Sequence, residues 1–219
     1  MAERDHIDMA EDQRLAIAYT PAPMRAALTS LFAFDRRLGR IVAKTSEPML
    51  GQMRLAWWRD MLGRPAPGRP TGDVVLDALG RHWAGHEGAL VAMVDAWEVL
   101  LAGENLSEEQ IRAFGEGRAA PFGTLRRQGG RAAKDRVAAA AYHWAIADVA
   151  AHASDPAERH ALVEQGLSRL RVGGTIEHGL RGLAVLQALA LRALKRGGRP
   201  LLEGRGAALV ALRAGLLGR

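Results

Sequence analysis

The residues of this chain that could bind a metal ion include acidic side chains four positions apart. Asp73 and Asp77 have this spacing at a predicted helix start, and Asp8 and Asp12 repeat it in the charged N-terminal segment. Residues at i and i+4 share one helix face, so two such carboxylates could hold one Mg²⁺. Carboxylates at a helix start also satisfy backbone N–H groups, and we predict this capping use for Asp73 and Asp77. For Asp8 and Asp12 we predict exposure to solvent.

His82 and His86 have the spacing of two zinc ligands on one helix face, and Glu87 follows them. The zinc sequence His-Glu-x-x-His has a glutamate directly after the first histidine, where this chain has Trp83. We therefore predict that both histidines lie at helix ends or on the surface. The sequence contains neither a Gly-x-Ser-x-Gly elbow nor a Walker loop. It has no cysteine, which excludes disulfides, thiolate metal sites and cysteine nucleophiles.

The composition is that of one folded domain, and we predict a single domain over residues 1–219. Hydrophobic residues make up 48% and charged residues 25% of the chain, which is enough to bury a core. The N-terminal segment is charged and lacks the apolar stretch of a signal peptide, which predicts a cytoplasmic protein. The net charge of +6 comes almost entirely from arginine. No basic stretch with interleaved aromatic residues accompanies it, so we predict no binding of nucleic acid.

Helical spacing of alanine and leucine dominates the chain, and strand signals are scarce. Aromatic residues are only 5%, and no Asn-Gly or Asp-Gly hairpin turn occurs. We therefore predict an all-α fold, with a Pro- and Gly-rich loop at 63–73. The predicted helices are 5–19, 24–44, 47–62 (capped by Ser46), 73–84, 87–102, 107–116, 118–127, 131–153, 156–171, 175–196 and 205–216.

The second predicted helix carries a carboxylate beside an apolar stripe. On a helical wheel, Asp35 falls at the margin of the stripe, and Gly39 and Ala43 lie on its flank, one turn apart. Two small residues at these positions leave room for another group to approach the helix backbone. The apolar stripe consists of Leu28, Leu31, Phe34, Leu38, Ile41 and Val42, and the basic residues on the far side are Arg36, Arg37, Arg40 and Lys44.

The third predicted helix carries two adjacent tryptophans, Trp57 and Trp58. They point in directions about 100° apart, so they cannot share one pocket. We predict that one packs against the preceding helix and the other lines a neighbouring surface.

These two helices resemble the squalene/phytoene synthase family. The resemblance rests on FAF at 32–34, RRL at 36–38, IV at 41–42, Pro48 and LAWWR at 55–59. A weaker likeness continues through 90–101, 114–125 and 141–150. It implies an all-α, isoprenoid-synthase-type helical bundle and an activity that joins two prenyl diphosphates head to head. The candidate pocket wall is then formed by Phe34, Asp35, Leu38, Gly39, Ala43, Trp57 and Trp58.

The family's metal-binding carboxylates are missing from the matching positions. Active members of the family hold Mg²⁺ with two carboxylates four residues apart, which the resemblance places at Gly39 and Ala43. The aspartate between them corresponds to Arg40. After residue 130, no two acidic residues are four apart. The resemblance thus implies no catalytic residue, no metal ligand and no cofactor.

Residues 46–51 (SEPMLG) are especially similar to a degenerate branch of the family, which includes the mitochondrial assembly factor for respiratory complex I and its bacterial relatives. The leading hypothesis is a non-catalytic protein with a protein partner or an isoprenoid or lipid ligand, acting in the cytoplasm or peripherally at the inner membrane. The first alternative is an active Mg²⁺-dependent head-to-head prenyl transferase with unfamiliar ligands. The second is an unrelated helical binding module.

The C-terminal part of the chain is basic. Residues 163–219 contain ten Arg or Lys and three Asp or Glu. Within it, residues 183–194 are apolar except for Gln187 and Arg192, and this run is too short to span a bilayer. We predict a core helix with basic ends. The alternative is an interfacial helix for peripheral membrane contact or partner docking.

Overall fold

The computed structural model describes residues 9–101, 106–125 and 130–218, and within these ranges the chain forms ten α-helices and no strand. The all-α prediction is therefore confirmed. The predicted helical residues 5–8, 102 and 126–127 lie outside the described residues. The helices are α1 Glu11–Ala18, α2 Ala22–Ala43, α3 Pro48–Gly63, α4 Val74–His82, α5 Glu87–Val99, α6 Glu108–Thr124, α7 Arg131–His152, α8 Pro156–Ser168, α9 Arg181–Leu194 and α10 Gly206–Leu217.

Helix α6 replaces two predicted helices, 107–116 and 118–127, because Gly117 is a packing position and not a break. A Cβ atom at Gly117 would lie 2.6 Å from the carbonyl oxygen of Ala92 in α5. Glycine here lets α5 and α6 approach closely. The helix starts at a capping box in which Ser107 accepts from the backbone N–H of Gln110.

Two predicted helix starts differ from the structure. The N-cap residue of α3 is Glu47, not Ser46, and Pro48 occupies the first helical position. Helix α9 begins at Arg181, later than predicted. Its preceding segment is held by a backbone bond from Ile176 N–H to the carbonyl oxygen of Gly218 at 2.9 Å, which ties it to the end of α10.

The core centres on α7 and α9. Ten residues of α9 are buried, so the prediction of a core helix for 183–194 is confirmed. An aromatic cluster joins α2, α6 and α7, with ring centroids of Phe32 and Phe122 each 5.6 Å from that of Trp144. The alanines of α7, many of them buried, let its neighbours pack closely.

Helix α3 contacts α2 through one of its two tryptophans. Trp58 is buried, and its ring centroid lies 5.1 Å from that of Phe34. Trp57 is 42% exposed and meets Trp58 edge to face. The prediction that one tryptophan packs on the preceding helix is confirmed for Trp58, and Trp57 lies beside it on the outer side of α3.

None of the helices in the described ranges has both the length and the apolar character needed to cross a bilayer.

Candidate functional site

A fully buried arginine, Arg118 of α6, links α2 to α7. Its Nε and Nη2 atoms donate to the two carboxylate oxygens of Asp35 at 2.8 and 2.7 Å. Nη2 also donates to Asp148 Oδ2 at 2.6 Å, and Nη1 donates to the Ala145 carbonyl oxygen at 3.0 Å. Planar, two-pronged pairing of this kind is the strongest form of side-chain hydrogen bonding. Arg118 therefore fixes the relative positions of three helices.

Aromatic rings surround the Arg118 guanidinium. It lies 4.3 Å from the ring centroid of Trp144, 4.9 Å from that of Trp97 and 5.7 Å from that of Phe114, where ring faces attract a cation. Burial alone would lower the pKa of Arg118, but Asp35 and Asp148 outweigh it and raise that pKa. The site thus contains a permanent, internal cation.

A cavity of about 560 Å³ adjoins this cluster. Its wall comes from α1, α2, α5, α6 and α7 and from residues 200–202. Three of the predicted wall residues, Asp35, Gly39 and Ala43, lie in this wall. The full lining is Ala10, Glu11, Asp12, Gln13, Asp35, Arg36, Gly39, Arg40, Ala43, Trp97, Arg118, Asp148, Val149, Ala151, His152, Pro200, Leu201 and Leu202.

The other four predicted wall residues lie elsewhere. Phe34, Leu38 and Trp58 are buried in the core and do not line the cavity, and Trp57 is on the surface of α3. The apolar stripe of α2 thus faces its neighbouring helices, and the adjacent flank of α2 faces the cavity.

The room predicted beside Gly39 is taken by Trp97 of α5. A Cβ atom at residue 39 would lie 2.9 Å from Cη2 and 3.3 Å from Cζ2 of the Trp97 indole. The Trp97 Nε1–H donates to Asp35 Oδ1 at 2.9 Å, which holds the ring in place. The group that approaches the α2 backbone is therefore a side chain of this protein.

A third carboxylate, Asp12 of α1, also lines the cavity. It is only 8% exposed, so the prediction of solvent exposure was wrong for this residue; Asp8 lies outside the described residues. The Trp144 Nε1–H donates to Asp12 Oδ2 at 3.4 Å. Burial, together with the negative charge of Asp148, raises the pKa of Asp12. Both effects make the ionised form of Asp12 less favourable than that of an exposed aspartate.

The basic side of α2 also reaches the cavity. Arg36 and Arg40 line it, although the helical wheel placed them opposite the apolar stripe. His152 of α7 lies at the same wall, with Nδ1 2.7 Å from the Asp148 carbonyl oxygen. The cavity therefore presents both acidic and basic groups beside an apolar wall.

These residues do not fit the Mg²⁺ ions that the family uses. Mg²⁺ requires a near-octahedral set of oxygen ligands, but both oxygens of Asp35 and one of Asp148 already accept bonds from Arg118. Within residues 9–101, 106–125 and 130–218, no three acidic or histidine side chains converge on a position suitable for a metal ion.

The two other candidate metal pairs lie on α4 and at the start of α5. Asp73 caps α4 by accepting from the N–H groups of Val75 and Leu76, and it pairs with Arg37 at 2.9 Å. Asp77 accepts from the backbone of Gly72. The capping prediction is therefore confirmed for Asp73, whereas Asp77 bonds to the loop residue before the helix. His82 and His86 are exposed, at the end of α4 and the start of α5, as predicted.

The sequence interpretation did not single out Trp97, Arg118 or Asp148. Each lies in one of the three segments of weaker likeness, 90–101, 114–125 and 141–150. An arginine between small and aromatic residues, as in FGEGRAAPFG, was a usable signal. A basic residue in such a run is expected to be buried with a partner.

The squalene/phytoene synthase family model matches residues 9–128. This is more than half of the chain, and the match includes the helices that carry Asp35, Trp97 and Arg118. An all-α bundle around a cavity is the architecture of this family, which has the isoprenoid-synthase fold. The chain belongs to the squalene/phytoene synthase family. Comparisons with curated proteins and with solved structures gave no match.

Proposed function

We propose that this chain is a non-catalytic member of the squalene/phytoene synthase family that acts as an assembly or binding factor near membranes. In this proposal the cavity holds an isoprenoid or lipid chain. The main support for this proposal is the position of Arg118. This buried cation pairs with Asp35 and Asp148, two carboxylates that line the cavity.

Departure of a pyrophosphate group needs a Lewis acid to stabilise the developing negative charge. In this site Asp35 is committed to Arg118, and the Trp97 indole packs against residue 39, where the family places a metal ligand. Arg36 and Arg40 line the cavity, and a guanidinium group is the side chain best suited to phosphate oxygens. In this proposal the positive charge of these arginines attracts a polar head group, without the metal chemistry of the family.

The apolar part of the cavity supports a hydrophobic ligand. Trp97, Val149, Leu201 and Leu202 contribute to its wall, and a volume of about 560 Å³ is typical of pockets that enclose small organic molecules. An assembly role for a respiratory complex rests on the likeness of residues 46–51 to the degenerate branch. Four of these residues form the first turn of α3, whose exposed side carries Met49, Met53 and Trp57.

The catalytic question is tested by incubation with farnesyl or geranylgeranyl diphosphate and Mg²⁺, followed by measurement of released pyrophosphate. We expect no release above an enzyme-free control. Release that is abolished by EDTA would instead support the alternative, an active Mg²⁺-dependent prenyl transferase of isoprenoid biosynthesis.

Ligand binding is tested with farnesol and a fluorescent farnesyl analogue. The variant Ala43→Trp places a large side chain at the cavity wall, and we expect it to weaken binding by about tenfold or more. Ala56→Trp, at an exposed position of α3, is the matched control and is expected to bind as the wild type does. Equal affinity for both variants would contradict binding in this cavity.

The assembly role is tested in the host organism. Loss of this chain should lower the amount of assembled respiratory complex I on a native gel, and expression of the wild-type chain should restore it. Unchanged complex I would contradict this part of the proposal and leave ligand binding as the proposed role.

A further inference from the structure

Helix α10 exposes an apolar face that no described part of the chain covers. Its inner side, Ala207, Ala211 and Ala214, is buried against the domain. On the outer side, Leu209 is 69% exposed and Leu216 is 70% exposed; Leu212 and Leu217 are exposed as well. A surface helix normally turns polar residues outward. The leucines of α10 therefore require a different explanation.

Helix α10 is packed against the rest of the chain, and its leucines are exposed in spite of this packing. A Cβ atom at Gly215 would lie 2.1 Å from the Tyr19 ring, which shows how closely α10 approaches the end of α1. The Gly218 carbonyl oxygen accepts from Ile176 N–H at 2.9 Å. Both contacts lie on the inner side and keep the leucines turned outward.

Arginines flank the exposed leucines, and acidic residues are absent from α10. Arg205 and Arg213 are exposed and fall on the same side as Leu209 on a helical wheel. Between residues 181 and 218 the chain has seven Arg or Lys and one acidic residue, Glu203. Both Arg192 and Arg196 donate to the Glu203 carbonyl oxygen, at 2.8 and 2.9 Å, which brings further positive charge close to the start of α10.

We propose that α10 is a docking surface for an anionic lipid bilayer. Leucines can enter the boundary between headgroups and acyl chains while the neighbouring arginines contact anionic headgroups. The helix lies in the membrane plane and does not cross the bilayer. This proposal does not depend on what the cavity holds.

A second exposed apolar face lies on α3, and the charge around it differs from the charge around α10. This difference supports a bilayer as the partner of α10. Met49 and Met53 are 71% and 64% exposed, but both Glu47 and Asp60 are exposed near them, together with Arg54. Acidic residues thus offset part of the positive charge beside α3, so its attraction to an anionic surface is weaker than that of α10. The combination of leucines with an excess of positive charge is a property of α10.

The start of α10 lies close in sequence to residues that line the cavity. Pro200, Leu201 and Leu202 line the cavity, and Arg205 follows three residues after Leu202. A docked α10 would therefore begin beside a wall of the cavity. A hydrophobic ligand leaving the bilayer would have a short path to that wall.

The test is flotation of the full chain with vesicles of phosphatidylglycerol and phosphatidylcholine, compared with vesicles of phosphatidylcholine alone. We expect binding to the anionic vesicles, weaker at high salt because the lipid charge is screened. The variant Leu209→Gln/Leu212→Gln/Leu216→Gln should reduce the partition coefficient by about tenfold or more. The matched control Met49→Gln/Met53→Gln on α3 should bind as the wild type does.

The charge requirement is tested separately with Arg205→Gln/Arg213→Gln, which should weaken binding several-fold, against Arg54→Gln, which should not. Circular dichroism of each variant checks that the fold is retained. The proposal is overturned if the wild type does not float with anionic vesicles, or if the α10 and α3 variants bind equally. It is also overturned if sedimentation shows a dimer that only the leucine variant disrupts, since the face would then join two copies of this chain.

Discussion

Helices α2 and α7 each direct one carboxylate to Arg118, and the two environments differ. Asp35 of α2 is 1% exposed and accepts bonds from Arg118 and Trp97. Asp148 of α7 is 20% exposed and shares the same guanidinium with one oxygen. Four residues after each carboxylate, both helices have a residue that is not acidic: Gly39 on α2 and His152 on α7.

Both carboxylates line the cavity, but the one on α2 is shielded and the one on α7 is accessible; in this sense we call the α2 position sealed and the α7 position open. On α2, the Trp97 indole packs against Gly39 and donates to Asp35, so it shields this carboxylate from most of the cavity. On α7, Asp148 keeps contact with the cavity beside His152. A polar ligand in the cavity would thus meet Asp148 before Asp35.

The largest effect is expected from Arg118→Met, which removes the cation that both helices share. Two carboxylates would then be left without their partner, one of them fully buried, and removal of one member of a buried ion pair costs about 3–5 kcal/mol. We expect a fall in the thermal midpoint of about 10 °C or more. Thermal unfolding followed by circular dichroism measures it.

The matched control is Arg64→Met, which removes an exposed arginine that pairs with Asp60 at 3.5 Å. Such a pair contributes at most about 1 kcal/mol. The double variant Asp35→Asn/Arg118→Met should lose less stability than the sum of its two single variants, because each removes the same interaction. Similar losses for Arg118→Met and Arg64→Met would contradict the central role of Arg118.

The asymmetry between the two carboxylates is tested by Asp35→Asn and Asp148→Asn. Asparagine keeps the shape but removes the charge, so we expect a loss of about 3 kcal/mol at the sealed position. At the open position water can replace part of the lost interaction, and we expect about 1 kcal/mol. Urea unfolding of both variants measures the difference, and equal losses would mean that the two sides are equivalent.

Much of the fold could be predicted from sequence because helix signals are local. Apolar spacing and the Pro- and Gly-rich loop gave the number and order of most helices. A helix boundary was predicted wrongly where a glycine packs against a helix that is distant in the sequence. The predicted helices 107–116 and 118–127 are separated at Gly117, but this glycine lies within α6 and its lack of a side chain lets α5 approach.

The candidate site was less predictable because its contacts join residues far apart in the chain. Asp35 and Gly39 could be found from their spacing on one helix. Their partners Trp97 and Arg118 lie on other helices, 62 and 83 residues from Asp35. Helical periodicity carries no information about such pairs, and only the family resemblance pointed to the segments that contain them.

Because Trp97 packs against Gly39, we predict that even a methyl group at residue 39 lowers the stability of the fold. Gly39→Ala should gain about 1 kcal/mol from helix propensity but must displace the Trp97 indole, and such overpacking costs about 1–3 kcal/mol. We expect a net loss of about 1 kcal/mol in urea unfolding. Gly123→Ala in α6 is the control, because a Cβ there has no neighbour within 4 Å; it should be neutral or stabilising. A stabilising Gly39→Ala would mean that Trp97 does not close this side.

The smallest effect concerns Asp12, the carboxylate on the cavity wall beside Asp148. Its pKa in the folded protein is raised by burial and by Asp148 above the ordinary value of 3.8. The folded state therefore binds a proton at Asp12 more readily than the unfolded state does. The free energy of unfolding contributed by this group falls as the pH rises from 3.8 through the raised pKa of the folded protein. Asp12→Asn removes the titration and keeps an acceptor oxygen for the Trp144 N–H. It should raise the thermal midpoint at pH 7, with a gain that shrinks as the pH is lowered toward 4.

The neighbouring variant Glu11→Gln is the control for Asp12→Asn, because the Glu11 side chain is 78% exposed and should give no comparable pH-dependent gain. Midpoints measured from pH 4 to pH 7 decide the matter. A gain for Asp12→Asn that is constant with pH would show that packing is responsible, and a loss at pH 7 would show that the carboxylate is needed in its charged form. Only that last result would return Asp12 to consideration as a ligand for a cation on the open side of the cavity.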